Sequence, residues 1–312
     1  MSGFRADHDL SLPAYCNVSV ENPEKNKELN ALISLIDEPS EEMYSSIRDK
    51  ISSYGKVAIP LLEEAWLHAS KNEDVERIET LIDDIRLSDL YFELNNWSQF
   101  YSNDLVKAFV LLTKFQYPDL DEEKYFEKIN KMRQNIWLEI NQDLTALEKI
   151  KVLNHIFFDI YQFRGQLPQH INLNAYFLND LLDSKKGSAI ALGILYISIA
   201  QSLDIPIFGV DLHHHFALAY MDDTVETKAA GDYKIEEVLF YIAVVNKGSV
   251  FTKNEIRRYV KQMKIEEQPG FFLPCTNTHI IRRLINEMIS AYKKESKYDK
   301  SELLVKLLKA LD

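Results

Sequence analysis

Between Asp211 and Phe216 the sequence reads Asp-Leu-His-His-His-Phe. Imidazoles and a carboxylate are metal ligands and also the material of proton transfer. On one extended strand, Asp211, His213 and His215 would share a face, giving one carboxylate and two imidazoles. Residues two apart on a strand are about 7 Å apart at Cα, which makes convergence on one ion awkward. His155 or His170 would have to complete such a site, and no metal is expected. The other reactive groups are Cys16 and Cys275, two thiols in unlike contexts and no disulfide framework. Cys275, in Leu-Pro-Cys-Thr-Asn, precedes a helix, a place that lowers a thiol pKa, but a buried packing role is expected. Ser188 follows Gly187 at a helix start and reads as an N-cap.

These groups need elements to hold them. From Lys27 the apolar residues recur at helical spacing, with Leu32, Leu35 and Ile36 on one stripe that Asp37-Glu38-Pro39 ends. Ser40 caps a second helix carrying Met43, Tyr44, Ile47 and Ile51. Ile59 to Trp66 and Val75 to Ile85 read as a third and a fourth; Leu90 to Phe100 and Asp104 to Phe115 extend the series. Tyr117-Pro118-Asp119 is the first boundary, because proline disfavours a helical residue before it. Two longer helices are expected near Glu122 to Ile140 and Leu144 to Phe163. Asn174 is placed as the cap of the next helix, and Gly187-Ser188 opens the apolar run IALGILYISIA.

After Ile205-Pro206 the texture changes. IFGVDL, HFALAYM and VLFYIAVV are β-rich runs at hairpin-like spacing, an antiparallel sheet. Thr252 and Glu255 form a capping box for another helix. The tail from Thr276 folds as a helical hairpin broken near Ser296 to Asp299. Helices on one antiparallel sheet make the fold class α+β. Trp66, Trp97 and Trp137 are expected as anchors between helices.

The chain of 312 residues carries a net charge of −12 and a pI near 5.2. That argues against nucleic acid or an anionic membrane as the main partner, since both require basic patches. The opening MSGFRADHDLSLP has no apolar stretch suited to a signal peptide, and two cysteines suit a reducing compartment, so a cytoplasmic location is expected.

From Leu153 to Gly248 the blocks LNHIFF, YQFRG, NAYFLNDLLDSKKG, AIALGILYISIAQSLDIPIFGVDL, HFALAY and VVNKG follow in order. This segment resembles the transglutaminase-like domain of the SirB family of bacterial proteins. PCTNTHIIRRLINEMISAY matches the helix that follows that domain, and GKVAIPLLEEAW resembles a HEAT-type repeat. The implied organisation is an extended lead-in over 1–26, HEAT-like helices over 27–118, a transglutaminase-like domain over 119–265 and a tetratricopeptide-like pair over 266–312.

Active transglutaminase-like enzymes set a cysteine at a helix start, a histidine on a following strand and an aspartate on the next. By resemblance those positions fall at Ala189, His215 and Ala243. Two of the three are methyl groups. The SirB family commonly has proline at the cysteine position and an aspartate or asparagine before a Pro-Phe pair, where this chain has Ala243-Val244-Val245. Further cleft residues implied are Asn174, Ser188, His213, His214 and Phe216. The expectation is a degenerate site with a vestigial His215, no cofactor, and a module that binds a protein or peptide. The alternative is a hydrolase or amide-transfer enzyme reusing the cleft around His215. Two helical pairs before Ile85 are too few to bury a separate core comfortably, so the flanks are expected to join the central domain in one unit.

Overall fold

The computed structural model describes residues 23–141, 143–166, 171–213, 215–222 and 233–312. Cys16, His170, His214 and the lead-in to residue 22 lie outside the described residues. Helix α1 (Pro23–Ile33) starts earlier than Lys27, since the fixed φ of proline suits a first helical turn. Ser40 caps α2 (Glu41–Ser52) as expected, and α3 (Ile59–His68) follows. Helix α4 (Asn72–Phe100) joins two stretches that the sequence reading separated. Arg86-Leu87-Ser88-Asp89 between them contains no glycine or proline to break it.

The described residues form two compact units, divided between Glu93 and Leu94. The first has a core of its own, with Leu29, Ile51, Leu62, Leu81 and Ile85 buried together. The expectation that these helices could not close a core is corrected: their apolar stripes cover one another. The division falls within α4, and Tyr117-Pro118-Asp119 lies inside the second unit.

In the second unit α5 (Leu105–Lys114) is capped by Asp104 and α6 (Glu122–Glu139) by Asp121. Helix α7 (Ala146–Asn154) starts in a Thr145–Glu148 capping box and continues as a π-helical turn, His155–Ile160. Strands β1 (Arg164–Gly165) and β2 (Lys186–Gly187) form a short parallel pair around α8 (Leu178–Ser184). Helix α9 (Ala189–Gln201) is apolar on all sides and buried. It packs on the sheet and against α5, α8 and α11 (Asn277–Lys294).

The sheet runs β3 (Ile207–Leu212), β4 (His215–Met221), β5 (Val238–Ala243), β6 (Ser249–Phe251), each antiparallel to its neighbour. Gly193 of α9 lies against Phe216 of β4, where a Cβ would overlap the ring, so helix and strand approach closely. On the other face, Ile256 and Val260 of α10 (Lys253–Gln262) join Phe271 and Phe272 over Val210, Leu212, Ala219 and Tyr241. The Thr252–Glu255 capping box is formed, and α11 with α12 (Tyr298–Leu308) makes the expected terminal hairpin. The fold is α+β.

Two local expectations are corrected. Asn172, not Asn174, is the cap: its side chain accepts from Ala175 N–H at 3.2 Å, and Asn174 lies within the 3-10 turn Leu173–Tyr176. Of the tryptophans only Trp97 is buried, with its indole N–H donating to Asp104 O; Trp66 and Trp137 are 42% and 63% exposed. Among the described residues no helix is long and apolar enough to cross a membrane.

Candidate functional site

The site forms where the β3–β4 end of the sheet meets the first turn of α9. The hydroxyl of Ser188 is fully buried and accepts from Ala191 N–H at 3.2 Å, while Ser188 N–H donates to Ala175 O at 2.9 Å. The serine is thus occupied as a cap. Ala189 becomes the first helical residue, where free N–H groups and the helix dipole would favour a thiolate. It offers only a methyl group.

The ladder pairs Leu212 with His215 and Leu218 with Ile242. Continued one step, that register sets Ala217 opposite Ala243. Directly paired residues share a sheet face, so His215, Ala217 and Ala243 lie together on the face of Leu212. Ala189, His215 and Ala243 all line one cavity of about 1060 Å³. His213 and Phe216 line it too, whereas Ser188 and Asn174 do not. His214 lies outside the described residues. The resemblance missed Asn172 and Tyr176, both on the wall.

Asp211 pairs with Phe216, on the face opposite to His215. The chain reverses between Leu212 and His215, with His213 in the left-handed region at φ 50°. The reading of Asp211, His213 and His215 as one face of one strand is therefore corrected. Among the described residues no group of three or more His, Cys, Asp or Glu side chains is placed to hold a metal ion.

Asp211 is instead the centre of an ionic cluster with α11. His279 Nε2 lies 2.7 Å from one carboxylate oxygen, and the Arg283 guanidinium pairs with the other. Arg283 also donates to the carbonyls of His213 and His215 at 3.2 and 3.3 Å and to Glu287 at 3.1 Å. One guanidinium so ties α11 to the turn that carries His215. Burial pushes the Asp211 carboxyl up, but the His279 hydrogen bond and the Arg283 charge outweigh it and hold it below the ordinary range. Glu287 goes the other way: burial raises it more than Arg283 lowers it. No sequence pattern links Asp211 to Arg283, which meet only through the fold.

Among the described residues no thiol is positioned for attack on a molecule in the cavity. Cys275 is not on the cavity wall; its N–H donates to Gly209 O at 2.9 Å and its S–H lies 3.3 Å from the same oxygen. Burial pushes its thiol up to about 12, reinforced by the charge of Asp211, so the lowered value that a helix start permits is not realised. On the wall, the Ser290 hydroxyl donates to Asn286 O at 3.0 Å. Burial and the charge of Glu287 raise the Tyr176 phenol well above its ordinary value. The cavity wall combines apolar side chains with polar and charged ones and carries the His215 imidazole, with no cysteine among the described residues that line it.

Against known proteins, the family model described as the transglutaminase-like superfamily matches residues 123–286, just over half of the chain. Two UPF0162 proteins of Xylella fastidiosa, from strains 9a5c and Temecula1 / ATCC 700964, are 20% and 19% identical over 203 residues. These alignments cover 63% of this chain and 68% of those proteins. F-box only protein 21 of Mus musculus is 22% identical over 147 residues, 47% of this chain and 22% of that protein. No solved structure matches the chain.

Proposed function

This chain belongs to the transglutaminase-like superfamily, and from that premise we propose that it is a non-catalytic member whose cavity holds a segment of protein or peptide. The observation that carries the reading is the pair of methyl groups, Ala189 and Ala243, on the same cavity wall as His215. An alanine neither attacks a carbonyl nor orients an imidazole. A cavity of about 1060 Å³ lies just above the range for small-molecule pockets, about 300–1,000 Å³, and has room for a short extended chain. The order of motif blocks supports a place near the SirB family, with HEAT-like helices before the domain and a tetratricopeptide-like pair after it as further partner surfaces. Two cysteines and an acidic chain support a reducing, cytoplasmic setting.

The test is selection of peptides from a displayed library, followed by affinity measurement against the wild type and Ala189→Phe, which fills the cavity. Selected peptides are expected to lose roughly tenfold or more in affinity, about 1.4 kcal/mol. If none responds to Ala189→Phe, the cavity is not the binding site. Turnover of an amide or ester substrate that disappears in His215→Ala would replace this reading with the hydrolase or amide-transfer one.

A further inference from the structure

Arg283 carries one positive charge and serves two carboxylates. Its Nη1 pairs with Asp211 and donates to the carbonyls of His213 and His215, while Glu287 receives only Nε, at 3.1 Å. Asp211 has a second partner in His279; Glu287 has no second partner among the described residues. The division is unequal, with Asp211 held below the ordinary carboxylate range and Glu287 above it. One oxygen of Glu287 is therefore bound, and the other accepts no hydrogen bond among the described residues.

Glu287 lines the cavity, and so does Tyr176, from the 3-10 turn that packs on α11. Tyr176 is 6% exposed, yet its phenol has no hydrogen-bond partner among the described residues. The two groups are close enough for the charge of Glu287 to add to the effect of burial on the phenol. Unmatched polar groups are costly, so a half-bound carboxylate beside an unmatched phenol calls for a donor from outside the chain. The other cations on this wall do not supply it. Arg282 turns to Leu311 O and the Asp312 carboxylate, both at 2.9 Å. Lys294 is exposed and lies two turns farther along α11, about 10 Å up the axis.

We infer that Glu287 and Tyr176 form a subsite for a basic side chain, arginine or lysine, of the bound peptide. The cationic N–H groups donate to the open oxygen of Glu287 and to the hydroxyl oxygen of Tyr176. Glu287 then has a whole counter-charge in place of a share of one. The net charge of −12 draws cationic segments towards the chain. This rests on the reading that the cavity holds a peptide, and it names the class of peptide selected.

The experiment is calorimetry on the full chain with acetyl-Ala-Arg-Ala-amide and its citrulline counterpart, which has nearly the same shape and no charge. The wild type is expected to bind the arginine peptide about tenfold or more tightly than the citrulline one. Glu287→Gln should bind the two alike, and Tyr176→Phe should reduce the preference about threefold. A second arm uses methylguanidinium, a cation with no peptide attached. Carbon-13 NMR follows the Glu287 carboxyl of the wild type, assigned from Glu287→Gln, and the cation is expected to lower the pH at which it titrates. An unmoved titration overturns the subsite whatever the peptides do, and this arm and Tyr176→Phe still decide if Glu287→Gln does not fold. Peptides that bind with no preference for arginine, or with a preference that both variants keep, overturn the inference and leave the peptide reading in place. If methylguanidinium moves Glu287 but neither peptide binds, the cation subsite stands and the peptide reading of the cavity falls.

Discussion

The side-chain amide of Asn154 donates to the carbonyl of Gly248 at 2.8 Å, and its oxygen receives the Tyr196 hydroxyl at 3.0 Å. Three distant blocks of sequence thus meet at one amide: the end of α7, the middle of α9 and the turn before β6. Gly248 has φ +69°, and a Cβ there would overlap the Asn154 side chain. Gly248→Ala is therefore expected to cost roughly 2–4 kcal/mol, from backbone strain together with the displaced hydrogen bonds. Urea unfolding measures it; a loss below about 0.5 kcal/mol would mean that the turn relaxes freely.

Cys275 should be inert in the folded protein. Its thiol is pushed up to about 12, against an ordinary value of about 8.5. Iodoacetamide near pH 8 is expected to leave Cys275 unmodified in native protein and to alkylate it fully in denaturant, with mass spectrometry as the readout. Rapid native modification would contradict the burial.

A thiol placed at position 189 should behave in the opposite way. Ala189→Cys puts sulfur at the first residue of α9, on the cavity wall that His215 also lines. Its alkylation near pH 7.5 is expected to exceed that of Cys275 by about tenfold or more. Adding His215→Ala should slow it several-fold. A rate that ignores His215 would mean that the two positions do not face each other.

Acid stability should depend on Asp211. Its folded pKa is depressed, so its contribution is present above the unfolded value, near 3.9, and is lost as pH falls through the folded value. Glu287 has a raised folded pKa, so its contribution is full below the unfolded value and is lost as pH rises through the folded one. Asp211→Asn is expected to cost roughly 2 kcal/mol near neutrality by leaving Arg283 partly unpaired, and to flatten the acid-side loss. Glu287→Gln should leave that loss in place. Urea midpoints between about pH 3 and pH 8 separate the two, and an unchanged acid limb in Asp211→Asn would refute the assignment.

Legibility followed the range of the interactions. Ser40, Ser188 and the Thr252–Glu255 box were readable because caps act within one helical turn. The triad positions Ala189, His215 and Ala243 came from the order of motif blocks rather than from local physics. Asn172 and Asn174 are two residues apart with the same side chain, and only the bond to Ala175 N–H distinguishes them. The histidine run misled because its alternation matches a strand, while His213 takes a left-handed conformation that a non-glycine sequence does not announce. Tyr117-Pro118 punctuates the chain but does not divide it. Thr113 Oγ1 of α5 accepts from Leu178 N–H at 3.0 Å, and α5 packs on α9. A cut at that proline would tear the second core.

The bond from Cys275 N–H to Gly209 O lies on the outer side of β3, the first strand of the sheet. An open strand border recruits strands from other molecules, and proteins guard against this by covering or shortening it. Here the segment before α11 covers β3 at its midpoint, and the opposite border is β6, only three residues long. Neither side offers a long template, so intermolecular strand addition, the common first step towards fibrils, is blocked at one margin and starved of length at the other.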